Sequence, residues 1–317
     1  MNAIYMTTQG ERFIERAYSE ETRGALEQEL NFLGLIQDPA QLEAQREICR
    51  QADYIFSTWG MFSLNEEELK TYFPRLKAVF YAAGSVQGFA RPLLKQGVRV
   101  FSAFAANAVP VAEYTVAQII LAGKGFLQTM ALYSSGGNHQ AASSYCNGFP
   151  GNYGCQVGLI GAGAIGRLVI RMLKEYRLKV VVFDPFLSEE EAERLGVEKC
   201  GLERLFAESQ TISNHLANNP QTAGMLNYGL FRRMKPNATF INTGRGAQVV
   251  EADLVRALKE KPGRVAVLDV TDPEPLPAGH PFTKMDNLLM TPHLGGSTYE
   301  CDMVLVNAAL EHLNHEK

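Results

Sequence analysis

The chain has 317 residues, of which 46% are hydrophobic and 20% are charged, and its formal net charge is −4. This length suits two domains of ordinary size, and the composition is typical of a globular protein. The slight negative charge offers no basic face to a polyanion, so nucleic acid is not an expected partner. No uninterrupted apolar run reaches the roughly 18 residues that span a bilayer, and the first residues lack the layout of a signal peptide, so no membrane partner is expected.

The cysteines argue against a disulfide framework and against a zinc site. There are five of them, at Cys49, Cys146, Cys155, Cys200 and Cys301, and they form no CxxC pair. An odd, scattered set fits small buried side chains in a reducing compartment. We therefore expect no metal and a cytoplasmic location.

The first half of the chain alternates short β-branched runs with helical patterns. Strands are predicted at 53–57, 77–82 and 98–101, and helices around 20–35, around 65–73 and over 111–127. Gly123 and Gly125 leave the end of the third helix uncertain. Residues 133–154 are polar and rich in Gly, Ser and Asn, and we interpret them as a surface arm within a domain rather than a linker, because strand-like patterning resumes directly afterwards.

The second half predicts a more regular α/β domain. Six strands are expected, at 155–160, 178–184, 211–215, 239–242, 265–270 and 287–291. Four of the five intervening segments can hold a helix, and the fifth is rich in proline. Strands that alternate with helical crossovers indicate a doubly wound parallel sheet. A single closing helix is predicted over 299–317.

A glycine motif lies where the first of these strands turns into a helix. Gly161, Gly163 and Gly166 follow CQVGLI and open the amphipathic stretch AIGRLVIRMLKEY. Gly161 permits the tight turn, Gly163 lets the backbone approach a pyrophosphate, and Gly166 lets helix and strand pack closely. The N–H groups of a helix N-terminus suit phosphate. The alternative is a structural turn, and the strand–glycine–helix context argues against it.

Asp184 ends the next predicted strand, LKVVVFD. A carboxylate at this position can accept hydrogen bonds from the hydroxyls of the adenosine ribose, and it would repel a 2′-phosphate. The sequence therefore predicts NAD rather than NADP as the cofactor.

Three later segments each place a chemically able residue just beyond a predicted strand. These residues are Arg245 in INTGRGAQ, Asp269 and Glu274 in LDVTDPEPLP, and His293 in TPHLGGST. Arginine can hold a carboxylate with two parallel donors, histidine can exchange a proton near neutral pH, and a carboxylate can orient that histidine. Taken singly, each has a structural explanation: a surface turn for Arg245, a buried histidine for His293, a rigid proline loop for Glu274. Their joint placement at strand ends favours a catalytic role for these residues over the structural explanations.

At this point the sequence resembles the D-isomer-specific 2-hydroxy acid dehydrogenase family. The matching stretches are VAEYT (111–115), GLIGAGAIGR (158–167), INTGRGAQVVEADLVRAL (241–258), LDVTDPEPLP (268–277) and TPHLGGST (291–298). Their order and spacing cover nearly all of residues 100–300. The resemblance implies an NAD-dependent enzyme that transfers a hydride to or from C2 of a small 2-hydroxy acid or 2-keto acid.

The resemblance also implies roles for individual residues. Arg245 would bind the substrate carboxylate and carbonyl, His293 would be the acid/base, and Glu274 would pair with it. The implied cofactor contacts are Gly161, Gly163, Ala164, Ile165, Gly166, Asp184, His215, Thr243, Gly244, Asp269 and Gly295. The implied substrate contacts are Trp59, Met61, Ala83, Gly84 and Ser85.

The sequence departs from the family pattern at three places. Thr271 stands where an aromatic residue often follows Asp-Val, the 133–154 arm lacks a tryptophan, and the AAGSV loop lacks the usual Asp. None of these changes removes a catalytic group, but all bear on the shape of the substrate pocket.

The implied fold has two doubly wound α/β domains. A flavodoxin-like substrate domain comprises residues 1–103 and is completed by 296–317, and a Rossmann-type NAD domain, residues 104–295, is inserted in it. The resemblance further implies a homodimer formed through the NAD domains, with 133–154 as the arm.

Other functions stay open at this stage. A non-enzymatic NAD sensor, like the C-terminal-binding-protein corepressors, would keep the same Arg, Glu and His, although the chain shows no extra tail or basic region. Oxidation of formate or phosphite and oxidation of phosphoglycerate are enzymatic alternatives.

The segment after the strand 53–57 bears on the last alternative. It offers Trp59 and Met61 where a phosphorylated substrate needs a cation. The stretch that follows 299 is also short for a regulatory domain. We therefore predict a small uncharged or apolar substituent on the 2-hydroxy acid. The opposing interpretation is that both side chains are core, and that Arg91 or Lys95 binds phosphate.

Overall fold

The computed structural model describes residues 1–134, 136 and 138–296. It divides into two compact units, the first formed by Met1–Ala108 and the second beginning at Val109. The division lies a few residues beyond the boundary predicted after residue 103. The closing helix predicted over 299–317, and the completion of the first domain by the C-terminal tail, fall outside the described residues.

Twelve strands are present in the described chain. They are β1 Asn2–Met6, β2 Asn31–Ile36, β3 Tyr54–Ser57, β4 Ala78–Tyr81, β5 Arg99–Ser102, β6 Gln156–Ile160, β7 Lys179–Phe183, β8 Glu198–Lys199, β9 Thr211–Asn214, β10 Thr239–Asn242, β11 Val265–Leu268 and β12 Leu288–Met290.

Fourteen α-helices accompany them over the same residues. They are α1 Glu11–Ala17, α2 Glu20–Glu29, α3 Gln41–Ala44, α4 Arg46–Gln51, α5 Glu66–Tyr72, α6 Ala90–Lys95, α7 Phe104–Gly123, α8 Phe126–Ser134, α9 His139–Cys146, α10 Ala164–Leu173, α11 Glu189–Leu195, α12 Leu202–Glu208, α13 Tyr228–Phe231 and α14 Glu251–Glu260. Short 3-10 turns lie at Gly246–Gln248 and Pro281–Lys284.

The first unit contains a five-stranded parallel sheet in the order β2-β1-β3-β4-β5. This is the flavodoxin-like order. Strands β3 and β4 are buried along their whole length. Their near-continuous apolar runs follow from this position, because a parallel strand covered on both faces has no polar side.

The second unit contains a seven-stranded parallel sheet in the order β12-β11-β10-β9-β6-β7-β8. Counted from β6, this is the Rossmann order extended by one strand. The predicted fold class, two doubly wound α/β domains, is confirmed. The six strands predicted for this half are all present, and the two-residue β8 adds a seventh.

Each sheet has an apolar core on both of its faces. In the second unit, one core packs Phe206, Phe231 and Phe240 together, and the opposite core includes Val157, Leu159 and Ile170. Burial of these side chains, at roughly 25 cal/mol per Å² of apolar surface, is the main force that holds helices on the sheet.

One prediction of local structure is wrong. The helix expected around 20–35 ends at Glu29, and Asn31–Ile36 forms β2, because pairing with β1 decides the conformation of this apolar run. The segment 133–154, interpreted as a surface arm, contains a helix. His139–Cys146 is helical, and the side chain of Asn138 caps this helix by accepting from the N–H of Ala141 at 2.7 Å.

Helix α7 is long and apolar enough, by length and composition alone, to cross a membrane. The sequence had suggested no uninterrupted run of that kind. Beyond Val109, its residues Ala112, Val116 and Ile119 belong to the apolar core on one face of the seven-stranded sheet. Core packing therefore accounts for part of its apolar composition, since 39% of the segment is buried.

Candidate active site

The predicted cofactor and catalytic residues of the second unit follow the ends of parallel strands. Because all seven strands run in one direction, their carboxyl ends meet at one edge of the sheet. Gly161 follows β6, Asp184 follows β7, His215 follows β9, Arg245 follows β10 and Asp269 follows β11. His293 lies just beyond β12.

The glycine loop has the geometry that a dinucleotide requires. Gly161 has φ of +98°, and a Cβ on it would lie 2.7 Å from the carbonyl oxygen of His215. A Cβ on Gly166 would overlap the Gly161 carbonyl. Gly163 is the N-cap of α10 and provides no side-chain cap, and the space in front of its Cα is open. Ala164 and Ile165 form the first turn, so their N–H groups are placed for a phosphate.

Asp184 is bound to the backbone of the glycine loop and to the backbone of the turn that follows β7. One carboxylate oxygen accepts from the N–H of Ala162 at 2.7 Å, and the other accepts from Phe186 and Leu187 at 2.8 and 3.2 Å. The oxygen that accepts from Ala162 receives only this one bond and has a second lone pair, whereas the other oxygen already accepts two. The carboxylate therefore holds the loop and is still chemically able to accept a ribose hydroxyl. The ribose contact itself stays a prediction.

His215 is buried and electrically neutral. It is 8% exposed, its Nε2 lies 2.9 Å from Ser213 Oγ, and its Nδ1 is buried without a hydrogen-bond partner among the described residues. Desolvation by burial lowers the pKa of His215 to about 4. This histidine is thus unsuited to proton exchange near neutral pH. Its contact with the cofactor stays a prediction.

His293 and Glu274, for which the sequence predicts an acid/base role, are in direct contact. His293 Nδ1 lies 2.9 Å from Glu274 Oε1, and both side chains are about two-fifths exposed, at 43% and 41%. His293 has φ of 53°, a left-handed conformation that is uncommon for residues other than glycine. Such a conformation persists only where the surroundings hold it.

Asp269 supplies that support. It is 3% exposed, and its carboxylate accepts from Thr291 Oγ1 at 2.6 Å and from the N–H groups of Leu294 and Gly295 at 2.8 and 2.9 Å. The N–H of His293 donates to the Asp269 carbonyl at 3.0 Å. Asp269 therefore anchors the turn that carries the histidine, a role that sequence reasoning missed. The predicted contact between Asp269 and the nicotinamide stays a prediction.

Arg245 begins a 3-10 turn beyond β10. Its guanidinium Nη1 donates to the carbonyl of Gly244 at 2.7 Å, and the neighbouring Thr243 is buried, with its hydroxyl 3.2 Å from that of Thr115. A Cβ on Gly246 would overlap the backbone carbonyl of Thr271. The Arg245 loop is therefore packed against the segment that leads to Glu274.

Three buried amides behind Arg245 were not predicted. Asn214, Asn242 and Gln248 are 0%, 1% and 0% exposed. The available signal was a polar amide at the end of each of two apolar strands, TISN and TFIN. An unpaired buried amide is costly, so such residues indicate a hydrogen-bond network.

The predicted substrate contacts all belong to the first unit. Trp59 and Met61 follow β3, are partly buried and pack against an apolar core of that unit. Ala83, Gly84 and Ser85 follow the neighbouring strand β4, where the Ser102 hydroxyl lies 3.0 and 2.6 Å from the carbonyls of Ala83 and Gly84. These segments share the carboxyl edge of the five-stranded sheet. Their contact with a substrate stays a prediction.

Comparison with known proteins identifies the family. The profile described as "D-isomer specific 2-hydroxyacid dehydrogenase, NAD binding domain" matches residues 120–295, more than half of the chain. The chain belongs to the D-isomer-specific 2-hydroxyacid dehydrogenase family. The matched region lies within the second unit, which therefore corresponds to the NAD-binding domain of the family.

Individual relatives of this chain differ in their substrates. It is 31% identical to a D-3-phosphoglycerate dehydrogenase of Archaeoglobus fulgidus over 211 residues, 66% of this chain and 39% of that protein. It is 34% identical to a glyoxylate reductase of Korarchaeum cryptofilum over 161 residues, 51% of this chain and 48% of that protein. The matches thus span less than half the length of these relatives.

A solved structure confirms the fold. The TT0316 protein from Thermus thermophilus matches with a TM-score of 0.77 over 99% of this chain and 96% of that chain, at 24% identity. At this identity the likeness concerns the fold alone.

Proposed function

We propose that this protein is an NAD-dependent dehydrogenase that interconverts a small 2-keto acid and the corresponding D-2-hydroxy acid. The observation that carries the proposal is the 2.9 Å contact between His293 Nδ1 and Glu274, on a turn anchored by Asp269 in the NAD-binding domain. Bound NADH would supply the hydride. The chain's own residues would hold the substrate and move the proton.

His293 is the proposed proton donor for the carbonyl oxygen. Glu274 accepts the hydrogen bond from Nδ1, which fixes the tautomer and assigns Nε2 to the exchange with substrate. In the reverse direction, the same nitrogen would accept the proton of the hydroxyl. Asp269 holds the backbone of the turn and Glu274 binds the imidazole, which reduces the entropy lost in reaching the reactive geometry.

Arg245 is the proposed binding residue for the substrate carboxylate. A guanidinium has five N–H donors, and the bond to Gly244 uses one Nη1 hydrogen. Its planar fork matches a carboxylate with two parallel hydrogen bonds, a geometry that an ammonium group does not offer.

NADH oxidation by a panel of 2-keto acids tests the proposed reaction. Glyoxylate, pyruvate, hydroxypyruvate and branched keto acids are the first substrates to try. His293→Ala should lose roughly 10²–10⁴-fold in kcat while NADH affinity is retained. A fully active His293→Ala variant would contradict the mechanism. Binding of NADH without turnover of any member would instead favour the corepressor-like sensor.

We further propose that the substituent on C2 is small and uncharged or apolar. Trp59 and Met61 bring large apolar side chains to the loop after β3, and Lys95 already pairs with Glu66 at 3.0 Å. Phosphate needs a charged partner when it is desolvated. The phosphoglycerate dehydrogenases among the relatives make the opposite outcome worth measuring. A clear preference in kcat/KM for 3-phosphohydroxypyruvate over hydroxypyruvate would refute this substrate assignment.

We also propose a cytoplasmic homodimer. Helix α8 exposes Phe126, Met130 and Tyr133, at 42%, 41% and 55%. A cluster of this kind favours a protein contact. The four described cysteines are free thiols, which supports a reducing compartment. Sedimentation equilibrium of the wild-type protein and of Met130→Lys would test the association, since a monomeric wild type would refute it.

A further inference from the structure

The three buried amides behind Arg245 form one continuous hydrogen-bonded cluster. Asn214 and Asn242 end the adjacent strands β9 and β10 and are directly paired in register. Asn214 Nδ2 donates to Asn242 Oδ1 at 2.9 Å and to Gln248 Oε1 at 2.6 Å. We name Asn214, Asn242 and Gln248 the amide cluster.

The amide cluster holds both backbone polar groups of Arg245. Its N–H donates to Gln248 Oε1 at 3.2 Å, and its carbonyl accepts from Asn242 Nδ2 at 3.1 Å. The N–H of Gly244 also donates to Asn242 Oδ1, at 3.1 Å. The Cα of Arg245 is thus fixed from both sides, and so is the point from which the guanidinium extends.

The same cluster reaches the backbone beside the glycine loop. Gln248 Nε2 donates to the carbonyls of Leu216 and Ala217 at 2.8 and 3.0 Å. These residues follow His215, whose carbonyl lies against Gly161. Gln248 therefore connects the Arg245 loop with the segment that borders the dinucleotide site.

The hydrogen bonds of Gln248 suit it to position the backbone of Arg245. The two donors of Gln248 and its acceptor oxygen are all used, so the cluster has no unsatisfied group at this residue. Apolar residues of similar volume would fill the space but would leave the N–H of Arg245 and the carbonyls of Leu216 and Ala217 without their present partners. What they would not provide is a fixed hydrogen-bonding geometry for the backbone of Arg245.

We propose that Gln248, with the amide cluster, is a positioning residue for Arg245 and hence for binding of the substrate carboxylate. The inference rests on the proposed function of Arg245. It adds that the affinity for the 2-keto acid depends on a side chain that does not touch the substrate.

The primary test compares Gln248→Met with a matched control. Gln210→Met removes another buried amide, 7% exposed, which lies at the opposite end of β9 and donates to the Asn237 carbonyl at 2.7 Å. Gln248→Met should lower kcat/KM for the preferred 2-keto acid by about 10–100-fold, mainly through KM, as expected for a lost fixed contact of about 1.4–2.7 kcal/mol. Gln210→Met should lower thermal stability and leave both kinetic constants unchanged.

A double-mutant cycle separates action through Arg245 from general disturbance. If Gln248 acts through Arg245, Gln248→Met should cost little in an Arg245→Ala background. Additive losses would overturn the proposal.

Gln248→Glu gives a second measurement if the Met variant does not fold. The introduced glutamate keeps an acceptor oxygen for the N–H of Arg245. Its other oxygen, when ionised, would face the carbonyls of Leu216 and Ala217.

Protonation of that introduced carboxyl should restore a donor. The kcat/KM of Gln248→Glu relative to wild type should therefore rise as the pH falls from about 8 to 6, because burial raises the pKa of a carboxyl. A ratio that does not change with pH would count against the proposal. Wild-type kinetics in Gln248→Met, together with a large loss in Arg245→Ala, would overturn this inference alone. An Arg245→Ala variant with wild-type kcat/KM would overturn the proposed function as well.

Discussion

Burial of His215 predicts a specific dependence of stability on pH. The side chain is enclosed at the carboxyl end of β9, and desolvation lowers its pKa from the ordinary 6.5 to about 4. Above pH 6.5 the imidazole is neutral in both folded and unfolded protein. Between these two values only the unfolded chain binds the proton. His215 therefore contributes stability that is fully present above 6.5 and is lost as the pH falls towards 4.

The magnitude follows from the two pKa values. Each pKa unit corresponds to about 1.4 kcal/mol, so the full difference amounts to about 3 kcal/mol in the free energy of unfolding. Between about pH 7 and pH 5, about 2 kcal/mol of this should be lost. A change of that size shifts the melting temperature of a unit of this size by about 4–8 °C.

Comparison with His215→Gln isolates this contribution from that of the acidic residues. Urea unfolding of wild type and variant across this pH range should show the stability difference between them shrinking by about 2 kcal/mol as the pH falls. His139→Gln, which removes an exposed histidine from α9, serves as the control and should follow wild type. Parallel pH profiles for wild type and His215→Gln would refute the reasoning, because they would mean that the folded protein hydrates this imidazole.

Three further predictions concern the remaining parts of the site and its support. Gly246→Ala should lower the free energy of unfolding by more than about 3 kcal/mol and abolish turnover, because the new Cβ overlaps Thr271. Gly201 has open space at its Cα, so the control Gly201→Ala should change the free energy of unfolding by less than about 1 kcal/mol. Arg264, 3% exposed, donates to the carbonyls of Arg232, Met234 and Ala257. Arg264→Met should therefore destabilise by at least about 2 kcal/mol in urea unfolding, and the exposed Arg256→Met by about 1 kcal/mol or less. Asp184→Ser should lower the ratio of kcat/KM for NADH over NADPH by about tenfold. It should also lower the melting temperature, because the carboxylate holds the glycine loop. A wild type that uses both cofactors equally would contradict the predicted preference for NADH.

The two sheets were predictable from the sequence to different degrees. In the second unit, long β-branched runs alternate with amphipathic helices, and all six expected strands are present. In the first unit, β1 and β2 were missed. Asn31–Ile36 is a short apolar run that a helix or a strand could use equally well, and only pairing with β1 decides between them.

The sequence by itself determined the chemistry available to this protein. A strand, three glycines and a helix specify a dinucleotide loop, and Arg245, Glu274 and His293 are residue types suited to the proposed carboxylate binding and acid/base exchange. These signals are local, because each depends on a residue type at a fixed distance from a strand end.

Only the tertiary structure decided how these groups are held. Asp269 anchors the His293 turn from 22 to 26 positions away in the chain, and Gln248 joins Arg245 to residues more than 30 positions earlier. Burial of His215, and with it the low pKa, results from packing around the end of β9. Hydrogen bonds and desolvation between distant segments leave no periodic pattern in a sequence, since they arise only when parallel strands bring their ends to one edge of the sheet.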